Sequence, residues 1–268
     1  MLRTLKAVLW REWWTNTRAY RVSFFAAVFM NSLFTLAIGW FLYHVVFAGQ
    51  VTDRFAAYAG TADYMSYLTL GVLIYTFAQR MLYPVRNFLN EQWEGTLPSM
   101  RLMNINLLTY QLGCVLFSAL YSLLEVAALL AAAWAWVGLD LSSMNIGGTL
   151  VALGGAFIGL YGLSTLMSAI ILYARDRLVV EHFVFSLLNL VSGIMFPVEY
   201  LPLPLQWLSP LVPLTWALKA LRAAALGGAA VADLLPHLTA LVALGALYLV
   251  AGKWLLERVF DRVLEEAA

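Results

Sequence analysis

The sequence predicts an all-α integral membrane protein with six transmembrane helices, and three observations carry that expectation. Hydrophobic residues fill 63% of the 268 positions and charged residues only 12%, too little polar surface to wrap a water-soluble globule of this size. Apolar runs of the ~20 residues needed to span a bilayer recur along the chain. Lys and Arg gather in alternate connections, the pattern that orients polytopic proteins. No linker, low-complexity tract or internal repeat divides the chain, so residues 1–268 read as one domain.

Residues 1–20 open with Leu2, Leu5, Leu9 and Trp13 on one helical stripe. Arg3, Arg11 and Arg18 lie largely off it, Lys6 snorkels from its edge, and Trp10 and Trp14 flank it. This pattern predicts an amphipathic helix lying in the membrane interface. The first span is read at 22–47; its apolar run exceeds the 7–15 residues of a signal-peptide core. The second is read at 64–83. In the connection after it, Leu89, Trp93 and Leu97 fall at i, i+4 and i+8, with Glu91 and Glu94 facing elsewhere and Gly95 and Pro98 breaking the helix. A short cytoplasmic amphipathic helix is expected there.

The third and fourth spans are read at 107–139 and 147–173. Gly148, Ala152, Gly155 and Gly159 place small residues on one side of the fourth, as close helix packing in a membrane requires. The fifth, 182–196, stops at Pro197. Residues 198–228 are apolar but broken by Pro202, Pro204, Pro210 and Pro213, so no straight spanning helix fits their first half. Broken backbone at membrane depth must be satisfied by protein or water, which predicts a pair of short re-entrant or interfacial helices. The sixth span is read at 234–256.

Thirteen basic residues fall on one side of this arrangement: Arg3, Lys6, Arg11, Arg18, Arg21, Arg80, Arg86, Arg101, Arg175, Arg177, Lys253, Arg258 and Arg262. Only Arg54, Lys219 and Arg222 fall on the other. The bias predicts a multi-pass protein of the cell membrane with both termini cytoplasmic.

Several chemistries are excluded by what the sequence lacks. A net charge of +1 gives no field for nucleic acid. Cys114 is the single cysteine, so no internal disulfide forms. His44, His182 and His237 are far apart and read as helix-end or interfacial residues, with no metal site. There is no G-x-x-x-x-G-K-[ST] phosphate loop; the one Gly-Lys pair, Gly252-Lys253, precedes Trp254 in an apolar span. No cofactor is therefore expected on this chain. No G-x-S-x-G, no H-E-x-x-H and no intramembrane aspartate pair suggests an enzyme; Asp53, Asp63 and Asp140 lie at or beyond outer span ends.

Glu125 is the one acid deep in a span, where a charge costs on the order of 2.5–3.5 kcal/mol. Such a group is a gating or structural candidate. With no paired Lys or Arg in a span, it reads as a lone hydrogen-bonding acid for which a glutamine amide would serve as well.

The run Glu91-Gln92-Trp93-Glu94-Gly95-Thr96-Leu97 resembles the E-x-x-x-G-T-L/I-E signature of the membrane subunits of ABC-2 type exporters. A later run, Ser192 to Pro202 (SGIMFPVEYLP) with Pro213-Leu214-Thr215-Trp216 and Leu221-Arg222, resembles that family's second signature. The order of elements also matches over nearly the whole chain. One departure is Met103-Asn104, where a Thr-Pro or similar pair is common; the proline here is Pro98.

The resemblance implies that two such subunits, a second copy or a paralogue, form the translocation path. Each would dock a separate ATPase, two copies in all, which carries the ATP and Mg. Docking would use a coupling helix around 87–97, with Phe88, Leu89, Glu91, Trp93, Glu94, Gly95, Thr96 and Leu97. The region of Pro197, Pro202 and Pro213 would form short helices on the outer side. Spans two and five would border the cavity, giving Tyr67, Tyr75, Thr76 and Gln79 with Phe185, Asn189, Ser192 and Phe196 as the candidate path. Aromatics with a few amides suit an amphipathic drug, a lipid or a lipid-linked glycan. The competing class, an ion-gradient-driven secondary transporter, calls for several intramembrane acids or two related halves, and neither is present.

Overall fold

Long apolar segments punctuated by Asn, Asp and Gly give twelve α-helices and no strand among the described residues of the computed structural model, which are 2–19, 21–46, 49–50, 53–61, 63–139, 142–174 and 177–267. They are α1 (Leu2–Trp14), α2 (Arg21–Phe41), α3 (Asp53–Ala59), α4 (Tyr64–Leu82), α5 (Asn87–Trp93), α6 (Leu97–Leu102), α7 (Leu107–Val137), α8 (Ile146–Ala174), α9 (Arg177–Val191), α10 (Leu203–Leu208), α11 (Pro213–Ala225) and α12 (Leu235–Ala267). Phe47, Asp140 and Arg175 lie outside the described residues, as do the side chains of Arg21 and Arg177.

Among the described residues α7, α8 and α12 are long and apolar enough to cross a membrane. Shorter apolar stretches occupy Phe29–Val45 and Leu178–Val191. Helix starts follow local capping. Asp63 caps α4 by accepting from Met65 N at 3.0 Å and Ser66 N at 3.2 Å. Asn106 caps α7 by accepting from Thr109 N at 2.9 Å, and Asn145 accepts from Gly148 N at 3.0 Å at the start of α8.

Two helices differ from their sequence reading. The helix read as the fifth span, over 182–196, runs instead from Arg177 to Val191, because Gly193 turns the chain at φ +79° ahead of Pro197. The sixth, expected to end at 256, continues to Ala267. Its charged extension is laced by i,i+4 pairs, Lys253–Glu257 and Arg262–Glu266, so the helix outlasts the hydropathy.

At the centre stands α4, with every side chain but Gln79 buried. Around it pack α2, α7, α8 and α11. The broadest helix–helix contact joins α8 to α12. A Cβ on Gly162 would sit 2.1 Å from the Gly245 carbonyl oxygen, and one on Gly252 would sit 2.6 Å from Leu166 N. Gly155 and Gly159 meet Leu238 and Leu241 of α12, while Gly148 meets Ala224 of α11 and Gly159 also meets Pro213, so the small-residue face read from the sequence seats both α12 and α11. Gly162→Ala is therefore expected to force two backbones apart and cost about 1 kcal/mol or more. A lowered melting temperature in detergent is the readout; an unchanged one would show that the seam yields freely.

Helix α1 lies against the start of α7, burying Val8 over Gly113. The stripe of Leu2, Leu5, Leu9 and Trp13 is divided: Leu5 joins that contact over Gly113 and Leu9 is half-buried, while Leu2 and Trp13 are exposed, as are the flanking Trp10 and Trp14. The face turned to the protein carries Val8, Arg11 and Glu12, because those groups have partners on α5 and α7.

Candidate functional site

The segment 83–105 folds into a knob of two short helices, α5 and α6, reached from α4 through a 3₁₀ turn over Tyr83–Arg86. Helix α5 ends in a Schellman motif: Gly95 N donates to Gln92 O at 3.1 Å and Thr96 N to Glu91 O at 2.9 Å. Gly95 takes φ +69°, which a side chain would oppose. Pro98 does not break a helix, as its sequence context suggested, but lies in the first turn of α6, where its missing N–H is harmless.

The knob is anchored from inside. Phe88 and Leu97 enter a core with Val8, Met100, Tyr110, Cys114, Leu172, Leu256 and Phe260, so α1, α7, α8 and α12 all grip it. Leu89 is buried instead against the cluster around α4. Leu89 and Leu97 therefore do not share an outer face with Trp93, which is 61% exposed. The turn at Gly95 separates Leu97 from the α5 register, and that is why the i, i+4, i+8 reading fails.

Glu91 is not an outward charge. It is buried, accepts from Tyr110 Oη at 2.8 Å, and also bonds Thr96 Oγ1 and the Arg11 guanidinium. Burial opposes its charge, but the hydrogen bonds from Thr96 and Tyr110 and the Arg11 cation prevail and hold the carboxyl below the usual carboxylate range. Beside it burial pushes the Glu12 carboxyl up, with Arg11 and Asn16 opposing. The Glu–Gly–Thr spacing of the signature is thus the internal scaffold of the knob. The groups left outside are Trp93, Glu94 and, unread from the sequence, Leu102 at 87% exposure and Met103.

Between α4 and α7 lies an ion pair that the sequence reading missed. Arg80 Nε donates to Glu125 Oε2 at 2.7 Å and Arg80 Nη2 bonds Oε1; the two side chains are 1% and 0% exposed. Glu125 is therefore not a lone acid, and Arg80 is not a loop charge. The legible signal was an Arg still inside the apolar run of the second span.

Of the candidate path residues, Tyr75, Gln79, Phe185 and Asn189 come together. Tyr75 Oη donates to Phe185 O at 3.4 Å, and the Gln79 and Asn189 side chains approach the same hydroxyl. Thr76 sits apart from them, bonded to Ser32 Oγ at 2.6 Å on α2. Tyr67 and Ser192 lie near the other end of α4, where Tyr67 Oη donates to Gly193 O at 3.1 Å. Phe196 is exposed and tilts against Tyr64 at 6.1 Å.

That end is organised by Arg222. From α11 it donates to Gly193 O and Ile194 O, each at 2.8 Å, and to Tyr67 O at 3.1 Å. Its guanidinium lies 3.4 Å from the Tyr67 ring centroid. The Gly193 and Ile194 carbonyls follow the end of α9, so a cation there complements the helix dipole. Gly71 makes room, since a Cβ would meet Ile194 O at 2.3 Å. Pro197 caps a short 3₁₀ turn, while Pro202 and Pro213 mark the starts of α10 and α11.

No curated protein matches this chain. The model of one protein family, described as ABC-2 type transporter, matches residues 3–226.

Proposed function

Since the chain belongs to the ABC-2 type transporter family, we propose that it is the membrane subunit of an ATP-binding-cassette exporter, forming the translocation path and driven by a separate ATPase. The family supplies the non-catalytic transmembrane component of ABC transporters and generally works with an ATPase on another chain. On this reading two permease chains, copies or paralogues, pair in the cell membrane with two ATPase chains that hold the ATP and Mg. The cargo is an amphipathic drug, a lipid or a lipid-linked glycan, passing near the Tyr75–Gln79–Phe185–Asn189 cluster.

The observation that carries the reading is the knob itself. It exposes Trp93, Leu102 and Met103 on two short helices whose cores are locked to α7, α8 and α12. An apolar surface held this rigidly suits a partner that pushes on the spans. The runner-up, ion-gradient-driven transport, loses its one intramembrane acid, since Glu125 is already paired with Arg80.

The test is affinity purification of the full chain from its native membrane in mild detergent. An ATPase subunit is expected in equal amount; its absence under conditions that keep the chain folded would sink the proposal.

Six spans with both termini inside complete the reading. Arg80 and Arg222 are buried, so they leave the count of basic residues, and the remaining twelve against two still favour cytoplasmic termini. Reporter fusions after Gly60 and after Asn145 are expected outside the cell. A cytoplasmic signal from either would break this topology.

A further inference from the structure

At the end of the molecule opposite the knob, a cavity of about 480 Å³ opens between α3, the outer end of α4, the 192–199 turn, α11 and the start of α12. Its volume lies within the range of sites for small organic ligands. Its lining is unusual for its unmet polar atoms. Ser192 Oγ, Thr215 Oγ1, Arg222 Nε and His237 Nδ1 are buried without a hydrogen-bond partner, and all four residues line this one cavity. Ser192, Thr215 and Arg222 are each more than nine-tenths buried. Leaving such groups unsatisfied costs about 1–3 kcal/mol apiece, so four converging on one space mark a place that something else completes.

The chemistry of the missing partner follows from the donor inventory. Arg222 Nε–H can only donate, and so can Lys219, which stands at the mouth over the Trp216 ring at 5.7 Å. The Ser192 and Thr215 hydroxyls are free to donate as well. The Arg222 Nη atoms are already fixed by carbonyls, so the guanidinium is held in place with its Nε edge unused. Against two permanent cations the lining carries one carboxylate among the described residues, Glu199, and that side chain is exposed. A cation would find a positive wall, and an apolar ligand would strand the donors. An anion rich in acceptor oxygens satisfies them together, and Arg and Lys beside hydroxyls are the usual means of holding phosphate.

We propose that this cavity binds a phosphate-bearing group, held by Arg222, Lys219, Ser192 and Thr215, with space beyond the phosphate for a glycerol or sugar moiety. The phosphate arrives either on a lipid headgroup or as a free phosphate. That the cavity faces the outer leaflet rests on the exporter reading; the binding itself does not.

Calorimetry on the full chain in maltoside detergent tests it with three probes: inorganic phosphate, dihexanoyl-phosphatidylglycerol and, lacking phosphate, dihexanoylglycerol. Saturable binding of at least one phosphate probe and none of dihexanoylglycerol is expected. Preference for the phosphatidylglycerol assigns the lipid source, and equal or tighter binding of inorganic phosphate assigns the free ion. Lys219→Gln, at an exposed position, and Thr215→Val, nearly isosteric, are each expected to weaken binding tenfold or more while eluting like the parent. Failure of both phosphate probes to bind, or unchanged affinity in Lys219→Gln, overturns the site. Since no ATPase is present, a chain that binds phosphate but recruits no ATPase refutes the exporter reading alone, and the reverse result refutes this site alone.

Discussion

Glu125→Gln is expected to destabilise the folded chain by about 3–5 kcal/mol, the usual result of removing one member of a buried ion pair. The carboxylate takes two hydrogen bonds from the Arg80 guanidinium, and neither side chain reaches solvent. Glutamine keeps one acceptor oxygen but leaves the Arg80 cation uncompensated at a depth where water cannot repair the loss. The sequence reading, which saw a solitary acid, favoured tolerance of this same substitution; the partner on α4 reverses the sign. Arg80→Gln alone is expected to do comparable harm by stranding Glu125. The double variant is expected to recover more than half of the loss, because the unpaired charge disappears with its partner. Thermal unfolding of the purified chain, followed as loss of monodisperse protein on size exclusion, reads all three. If Glu125→Gln melts with the parent, the pair does not hold α4 to α7.

Trp93→Ala is expected to weaken ATPase binding by about 2–4 kcal/mol, roughly thirtyfold or more, while the variant still inserts and folds. Its ring is largely exposed at the end of α5, beside the turn at Gly95, so truncation opens no cavity in the buried core. Leu102 and Met103 are exposed on the same knob and are expected to add to the effect. Glu94→Ala, at the exposed rim, is expected to matter less. A pull-down of the ATPase with each purified variant, paired with stimulated ATP hydrolysis, separates docking from coupling. Full binding and full coupling in Trp93→Ala would remove the knob as the docking element. Glu91 is not a useful docking variant, because its loss would strand Thr96, Tyr110 and Arg11 and disturb the knob from within.

Hydropathy and caps made the long helices legible. The third and fourth spans were read within two residues of α7 and α8, since Asn106, Gly138 and Asn145 punctuate the chain where the apolar runs stop. What resisted reading were pairings between distant elements. Arg80 looked like a loop charge because a sign count has no depth. Glu91 looked outward because its partners Arg11 and Tyr110 belong to α1 and α7. Arg222 looked like an outer-side charge because carbonyls, which carry no side-chain identity, are what receive it. The α9 shift had a local cause, the left-handed Gly193, that hydropathy does not see.

Helix α7 has a mechanical consequence. It runs unbroken from the knob into the pair with Arg80, and at 1.5 Å per residue Glu125 lies about 27 Å along it from Leu107. Were α7 to rock on its neighbours, the ion pair would be the fulcrum and the stretch from Leu107 the moment arm. A rocking of about 10° about that point would carry the knob end through about 5 Å, one helical turn. The segment beyond Glu125 is shorter, about 18 Å to Val137, so the far end would swing through a smaller arc in the opposite sense. A push at the knob end would thus be geared down in distance and up in force by the time it reached the far end, with the gear ratio set by where along α7 the acid falls.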